Sequence, residues 1–145
     1  MLDVALSKKD SIERCIQQIA SYYALPSELA FEQDYLKQDA IAANLQRVCQ
    51  LCIDLANLTI RKQKLGLPKD SADSFRLLVE AGIIDRELGR QLKAMVGLRN
   101  VLVHEYTELD LALMIEVIEH HLNELVKFAQ TIVLQFQGGE FNTGD

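Results

Sequence analysis

From about Asp34 to Lys64 the chain runs without a Pro or a Gly, and Ile41, Leu45, Val48, Cys52, Leu55 and Leu58 recur at three- and four-residue steps. That spacing winds one apolar stripe along a helix. A stripe this long is buried by other helices, and the rest of the sequence supplies them. Upstream, Ser7 reads as an N-cap with Asp10 favouring the first turn. Ile12, Cys15, Ile16, Ile19, Tyr22 and Tyr23 then carry a first helix that ends before Pro26. A short helical turn is predicted at Ser27–Phe31.

Downstream, LGLPKDSAD reads as a loop, with Gly66, Pro68 and a capping Ser71. A short helix follows over Ser71–Glu80 and ends at Ala81 and Gly82, where Gly suits the left-handed position after a helix. Asp85 caps a further long segment whose apolar residues are Leu88, Leu92, Met95, Val96 and Leu98. A final helix starts near Glu108–Asp110, and its stripe runs from Leu111 through Met114, Ile118, Leu122, Leu125, Ala129 and Ile132 to Phe136. The tail QGGEFNTGD has lost the pattern and is expected to be disordered. With 145 residues, 49% of them hydrophobic, the chain has the length and the apolar content of one ordinary domain. The predicted fold is all-α: an up-and-down bundle of four long helices with one or two short helices, a single domain over 1–136 followed by a tail over 137–145.

MLDVALSKKDSIERC has no basic region followed by an apolar run, and no uninterrupted apolar stretch approaches membrane-spanning length. These features predict a soluble, cytoplasmic protein with no membrane partner. Cys15, Cys49 and Cys52 make an odd, irregularly spaced set, a poor disulfide framework. Cys49 and Cys52 read C-x-x-C, yet they sit inside the long helical pattern with no second pair, where thiols pack as small hydrophobes. His121 borders the core stripe of the last helix, and Glu116 stands one turn before His120. One Glu/His pair is short of the three or four ligands a metal needs, so both histidines are read as structural and no metal or cofactor is expected.

The net charge of −6 argues against a nucleic-acid partner until its distribution is considered. Residues 1–43 carry −3, residues 44–99 carry +4 and residues 100–145 carry −7. The basic middle leads directly into RNVLVHEY, Arg99 to Tyr106. The chain has no Gly-rich phosphate loop, no G-x-S-x-G and no H-E-x-x-H, which leaves Arg99 and His104 as its one compact chemical constellation. Arg offers a fixed fork of donors that matches phosphate oxygens and stays charged. His moves a proton near neutral pH. Together they meet the needs of metal-free cleavage of RNA, which carries its own 2′-OH nucleophile.

Spacing complicates the pairing. Five residues of ideal helix rotate a side chain by about 140° beyond a full turn. Either Arg99 reaches around on its long stem, or the helix ends near Leu102–Val103 and His104 swings back. One His does not readily serve as both acid and base, and a two-fold homodimer would bring two copies of the pair into one cleft. On the residues alone a second reading stands beside the site: Arg, Asn and His at a helix end that cap carbonyls or bind surface carboxylates.

RNVLVHEY resembles the R-x4-H-x-Y motif of the HepT-like toxins, a branch of the HEPN superfamily of all-helical RNA-cleaving domains. Arg99, His104 and Tyr106 fill its three positions, and Asn100 matches the polar residue common beside the Arg. The stretch from Gln38 to Asp85, followed by LKAMVGLRNVLVHEY, is similar to the body of such proteins. The resemblance implies a HEPN-like helical bundle and the toxin of a type VII-like toxin–antitoxin pair. It implies a metal-independent endoribonuclease with Arg99 and His104 catalytic at a homodimer cleft. It also implies an MntA-type nucleotidyltransferase antitoxin that transfers AMP to Tyr106. An adenylate there adds bulk and negative charge where an RNA phosphate must sit. The competing reading is a non-catalytic nucleotide- or partner-binding subunit of a nucleotidyltransferase complex.

Overall fold

The computed structural model of the chain describes the backbone of residues 1–102 and 108–143, and the side chains of these residues other than 108, 109 and 138–143. Its helices are α1 (Leu2–Ala24), α2 (Tyr35–Gln63), α3 (Ser71–Glu80), α4 (Arg86–Leu102), α5 (Glu108–His120) and α6 (Leu122–Thr143), with a 3-10 turn at Phe31–Gln33 between α1 and α2. The described residues contain no strand, and the all-α bundle expected from the sequence is the fold.

The helix ends follow from local chemistry. The Asp34 side chain accepts from the Lys37 N–H at 3.1 Å and starts α2. α2 stops where Lys64 takes a left-handed conformation, φ 55°. Arg61 and Lys62 in its last turn complement the negative end of the helix dipole. α3 opens on two side-chain acceptors: Asp70 accepts from the Asp73 N–H at 2.8 Å, and Asp73 accepts from the Lys69 N–H at 2.9 Å. The cap is thus Asp70, and Ser71, expected to cap, is the first helical residue. α3 ends before Gly82, at φ 75°. Asp85 caps α4 as expected, accepting from the Leu88 N–H at 2.7 Å.

Two further expectations are corrected. α1 begins at Leu2 and Ser7 lies within it, because the turn before Ser7 already buries Ala5 completely. The final helix is divided at His121. There the Glu124 N–H bonds the His121 carbonyl three residues back (3.2 Å), a tighter step than the regular helical one. The apolar stripe continues in phase across this break, so periodicity gives no sign of it. The backbone of α6 continues as a helix to Thr143.

Pairs of contacts set the course of the chain. Lys8 meets Asp54, and Lys37 reaches the carbonyl of Leu25, so α1 and α2 are antiparallel. Met95, Arg99 and Leu102 on α4 meet Cys49, Gln50 and Gln46 on α2, again antiparallel. Tyr23 at the end of α1 meets Glu119 just before α6, and Lys62 and Gln63 at the end of α2 meet Phe136 and Gln135, so α6 runs alongside α2 in the same direction. Up, down, up, down is the result, with α3 laid across. Its Phe75 packs edge-on against Phe128 of α6, ring centres 5.7 Å apart. α2 lies at the centre, touching α1, α3, α4 and α6. Buried polar groups are paired: Gln38 donates to the Phe31 carbonyl at 2.7 Å and Ser74 to Asn57 at 2.6 Å.

Candidate ribonuclease site

α4 places Arg99 in its last turn. Leu98 and Leu102 anchor that turn in the core, at 1% and 4% exposure, so the intervening Arg99 and Asn100 fall toward its wet side. Arg99 is half-buried. Its Nη1 donates to Gln50 Oε1 at 3.0 Å and its Nη2 to Asn100 Oδ1 at 3.0 Å. Both acceptors are neutral carboxamide oxygens. They hold the plane of the guanidinium, and among the described residues no carboxylate pairs with it, the state a phosphate-binding group requires.

The partners of Arg99 belong to a longer line on α2. Gln50 Nε2 donates to Asp54 Oδ1 at 2.9 Å, and Asp54 Oδ2 faces Lys8 Nζ of α1 at 3.4 Å. One turn the other way, Gln46 Nε2 donates to the Leu102 carbonyl at 2.8 Å. That bond satisfies a carbonyl in the final turn of α4. Of the motif residues the structure describes Arg99 and Asn100; His104 and Tyr106 lie outside the described residues. Gln46, Gln50 and Asp54 were not singled out from the sequence. Their signal was a polar line at steps of four beside the apolar stripe of α2, which reads equally well as a solvated edge.

The other sequence candidates take structural places. Cys15, Cys49 and Cys52 are free and buried. Burial pushes the Cys49 thiol up to about 12, against the weaker opposing pull of Arg99, and raises Cys52 well above the usual thiol range. The Cys49 Sγ instead points a weak donor at the Met95 carbonyl, 3.6 Å away. His121 sits at the break between α5 and α6, with Nδ1 3.1 Å from Glu124 and Nε2 3.6 Å from Glu116. Among the described residues no three His, Cys, Asp or Glu side chains converge as a metal site. A cavity of about 200 Å³ opens between α4, α5 and α6, walled by Leu88, Leu92, Leu113 and Val117, and Arg99 does not line it.

A family model described as ribonuclease HepT-like matches residues 12–132. The chain is 44% identical over 132 residues to the mRNA nuclease HepT of Shewanella oneidensis, covering 91% of this chain and 98% of that protein. This chain belongs to the ribonuclease HepT-like family. The HepT-like chain also superposes on the solved tri-AMPylated Shewanella oneidensis HEPN toxin in complex with MNT antitoxin. The TM-score is 0.84 at 44% identity, with 91% of this chain and 98% of that one covered. A second relative, the tRNA nuclease HepT of Aphanizomenon flos-aquae, is 33% identical over 81 residues, 56% of this chain and 52% of that protein. The family likeness of this HepT-like chain therefore extends well beyond RNVLVHEY, over residues 12–132.

Proposed function

We propose that this HepT-like chain is the toxin of a toxin–antitoxin pair, an endoribonuclease silenced by a nucleotidyltransferase antitoxin. The observation that carries the reading is Arg99, fixed by two neutral acceptors at the end of α4, within a family motif that supplies a His and a Tyr a few residues on. The resolved likeness to a modified HEPN toxin bound to its antitoxin supports the same reading.

In this mechanism Arg99 grips a non-bridging oxygen of the scissile phosphate and steadies the negative charge that builds on phosphorus. His104 takes the proton of the ribose 2′-OH. The 2′-oxygen attacks phosphorus, the bond to the 5′-oxygen breaks, and that oxygen leaves with a proton, giving a 2′,3′-cyclic phosphate and a 5′-hydroxyl. The second proton transfer is assigned to His104 of the other copy in a homodimer cleft, with each copy supplying one Arg and one His. No step calls for a metal. AMP on Tyr106 would set a competing phosphodiester beside Arg99 and exclude the RNA. The protein acts in the cytoplasm, where its RNA is; no described helix is long and apolar enough to cross a membrane.

The test is cleavage of labelled mRNA and tRNA in EDTA, with intact mass establishing that Tyr106 is bare. Wild type is expected to cut and His104→Ala to leave RNA whole while keeping its helical spectrum. After treatment with the antitoxin and ATP, wild type gains mass in AMP steps and stops cutting, whereas Tyr106→Phe gains none and goes on cutting. Bare wild type that leaves both RNAs intact, yet binds nucleotide through Arg99, would replace this reading with the non-catalytic subunit.

A further inference from the structure

The side chains of α2 that face the end of α4 do more than cover it. Gln50 reaches Arg99 from 49 positions away in sequence, and its amide is held at both ends. The NH2 donates to Asp54, so the oxygen must face the other way, toward the Arg99 guanidinium. Asp54 is held in turn by Lys8 on a third helix. An acidic residue one turn from Gln50 would otherwise be a competing anion for the arginine, and Lys8 engages that charge.

We propose that Gln50 is a positioning residue for Arg99, aimed by Asp54 and Lys8, and that its neutrality is what suits it to the task. The proposal rests on the reading of Arg99 as the phosphate-gripping group. A free arginine stem samples many rotamers, and a donor fork must be oriented before it matches a phosphate. A carboxylate at position 50 would orient the fork as well, yet it would pair with the charge that the RNA phosphate needs. A carboxamide orients without that competition. Asn100 does the same on the second nitrogen, so among the described residues both acceptors orient the fork without neutralising it.

This predicts an order that an ordinary surface position would not show. Gln, Glu and Ala are all good helix formers, so at the exposed position 50 their exchange leaves thermal stability nearly unchanged. Cleavage is measured on bare full-length protein with one labelled RNA in EDTA. Gln50→Ala is expected to lower kcat about tenfold with KM within about twofold, the pattern of an interaction realised in the transition state. Gln50→Glu is expected to fall further in kcat/KM, through a raised KM, because its carboxylate competes with RNA for Arg99. In an Arg99→Lys background, which keeps the charge and removes the fork, Gln50→Ala should add less than about a twofold loss. Wild-type cleavage by both Gln50 variants, beside an inactive Arg99→Ala, overturns the positioning role and leaves the ribonuclease site standing. Wild-type cleavage by Arg99→Ala removes both. A Gln50→Glu variant more active than Gln50→Ala overturns the argument from neutrality.

Discussion

Two glycines on α4 allow one chemical change to be tested in opposite senses. A Cβ at Gly97 meets none of the described residues within 4 Å, whereas a Cβ at Gly89 overlaps Val79 Cγ2 of α3 and also touches Ile84. In a helix interior Ala is favoured over Gly by about 1 kcal/mol. Gly97→Ala is therefore expected to stabilise the chain by about 1 kcal/mol, a rise in Tm of roughly 3 °C at this size. Gly89→Ala makes the same gain in propensity, but it forces α3 and α4 apart, because the β-branched Val79 has little freedom to turn away. Overpacking of this kind costs about 1–3 kcal/mol, so the net change runs from near zero to a loss of about 2 kcal/mol. Urea melts followed by helical ellipticity give both values from the shift in midpoint at constant slope. Shifts of equal size and sign for the two variants would refute the argument, since propensity alone would then account for both. If Gly97→Ala destabilises the protein, the surface at Gly97, two residues before Arg99, is covered in solution, by a second copy or a partner.

Two other perturbations test the helix ends. The Arg76 side chain, with the Lys69 N–H behind it, holds the Asp73 carboxyl down to about 2. A depressed carboxylate stabilises the fold above its unfolded value of about 4 and loses that contribution as pH falls through 2. The stability gap between wild type and Asp73→Asn should therefore be full at pH 6 and close between pH 4 and 2 in urea melts; a constant gap would show that the charge is irrelevant. Lys64 carries the left-handed φ of 55° that ends α2. Lys64→Gly relieves that conformation and should raise stability by about 0.5–1 kcal/mol, read from the same melts, and a loss would mean that the lysine side chain matters more than its backbone.

How far the sequence revealed this molecule depends on the range of the forces involved. α2 was legible almost to the residue, because its start at Asp34 and its stop at Lys64 are decided within a turn of each end. α3 and its closing glycine were legible for the same reason, although Asp70 takes the capping role from Ser71 by accepting from the Asp73 N–H. The start of α1 was hidden because the residue that holds its first turns to the core is Ala5, too small to mark an apolar stripe. The break at His121 was hidden because both sides bury the same phase. At the site, the motif stood out as a local cluster of unusual groups. Gln50 did not, since its meaning comes from a helix it joins only after the bundle has folded. Local signals in a chain reveal helices and motifs; the partners that orient a motif are set by the packing.

The three buried thiols give this chain a built-in timer for its own breathing. A thiolate must form and be reached before a disulfide reagent attacks it, and in the closed bundle neither condition holds for Cys49 or Cys52. Labelling can then proceed only as fast as the helices part. Cys15 reports the lifting of α1, whereas Cys49, against the Met95 carbonyl, reports the separation of α2 from α4. Single-cysteine variants followed by mass under native conditions would rank those openings, and so show whether the helix that carries Arg99 is the first or the last to come loose.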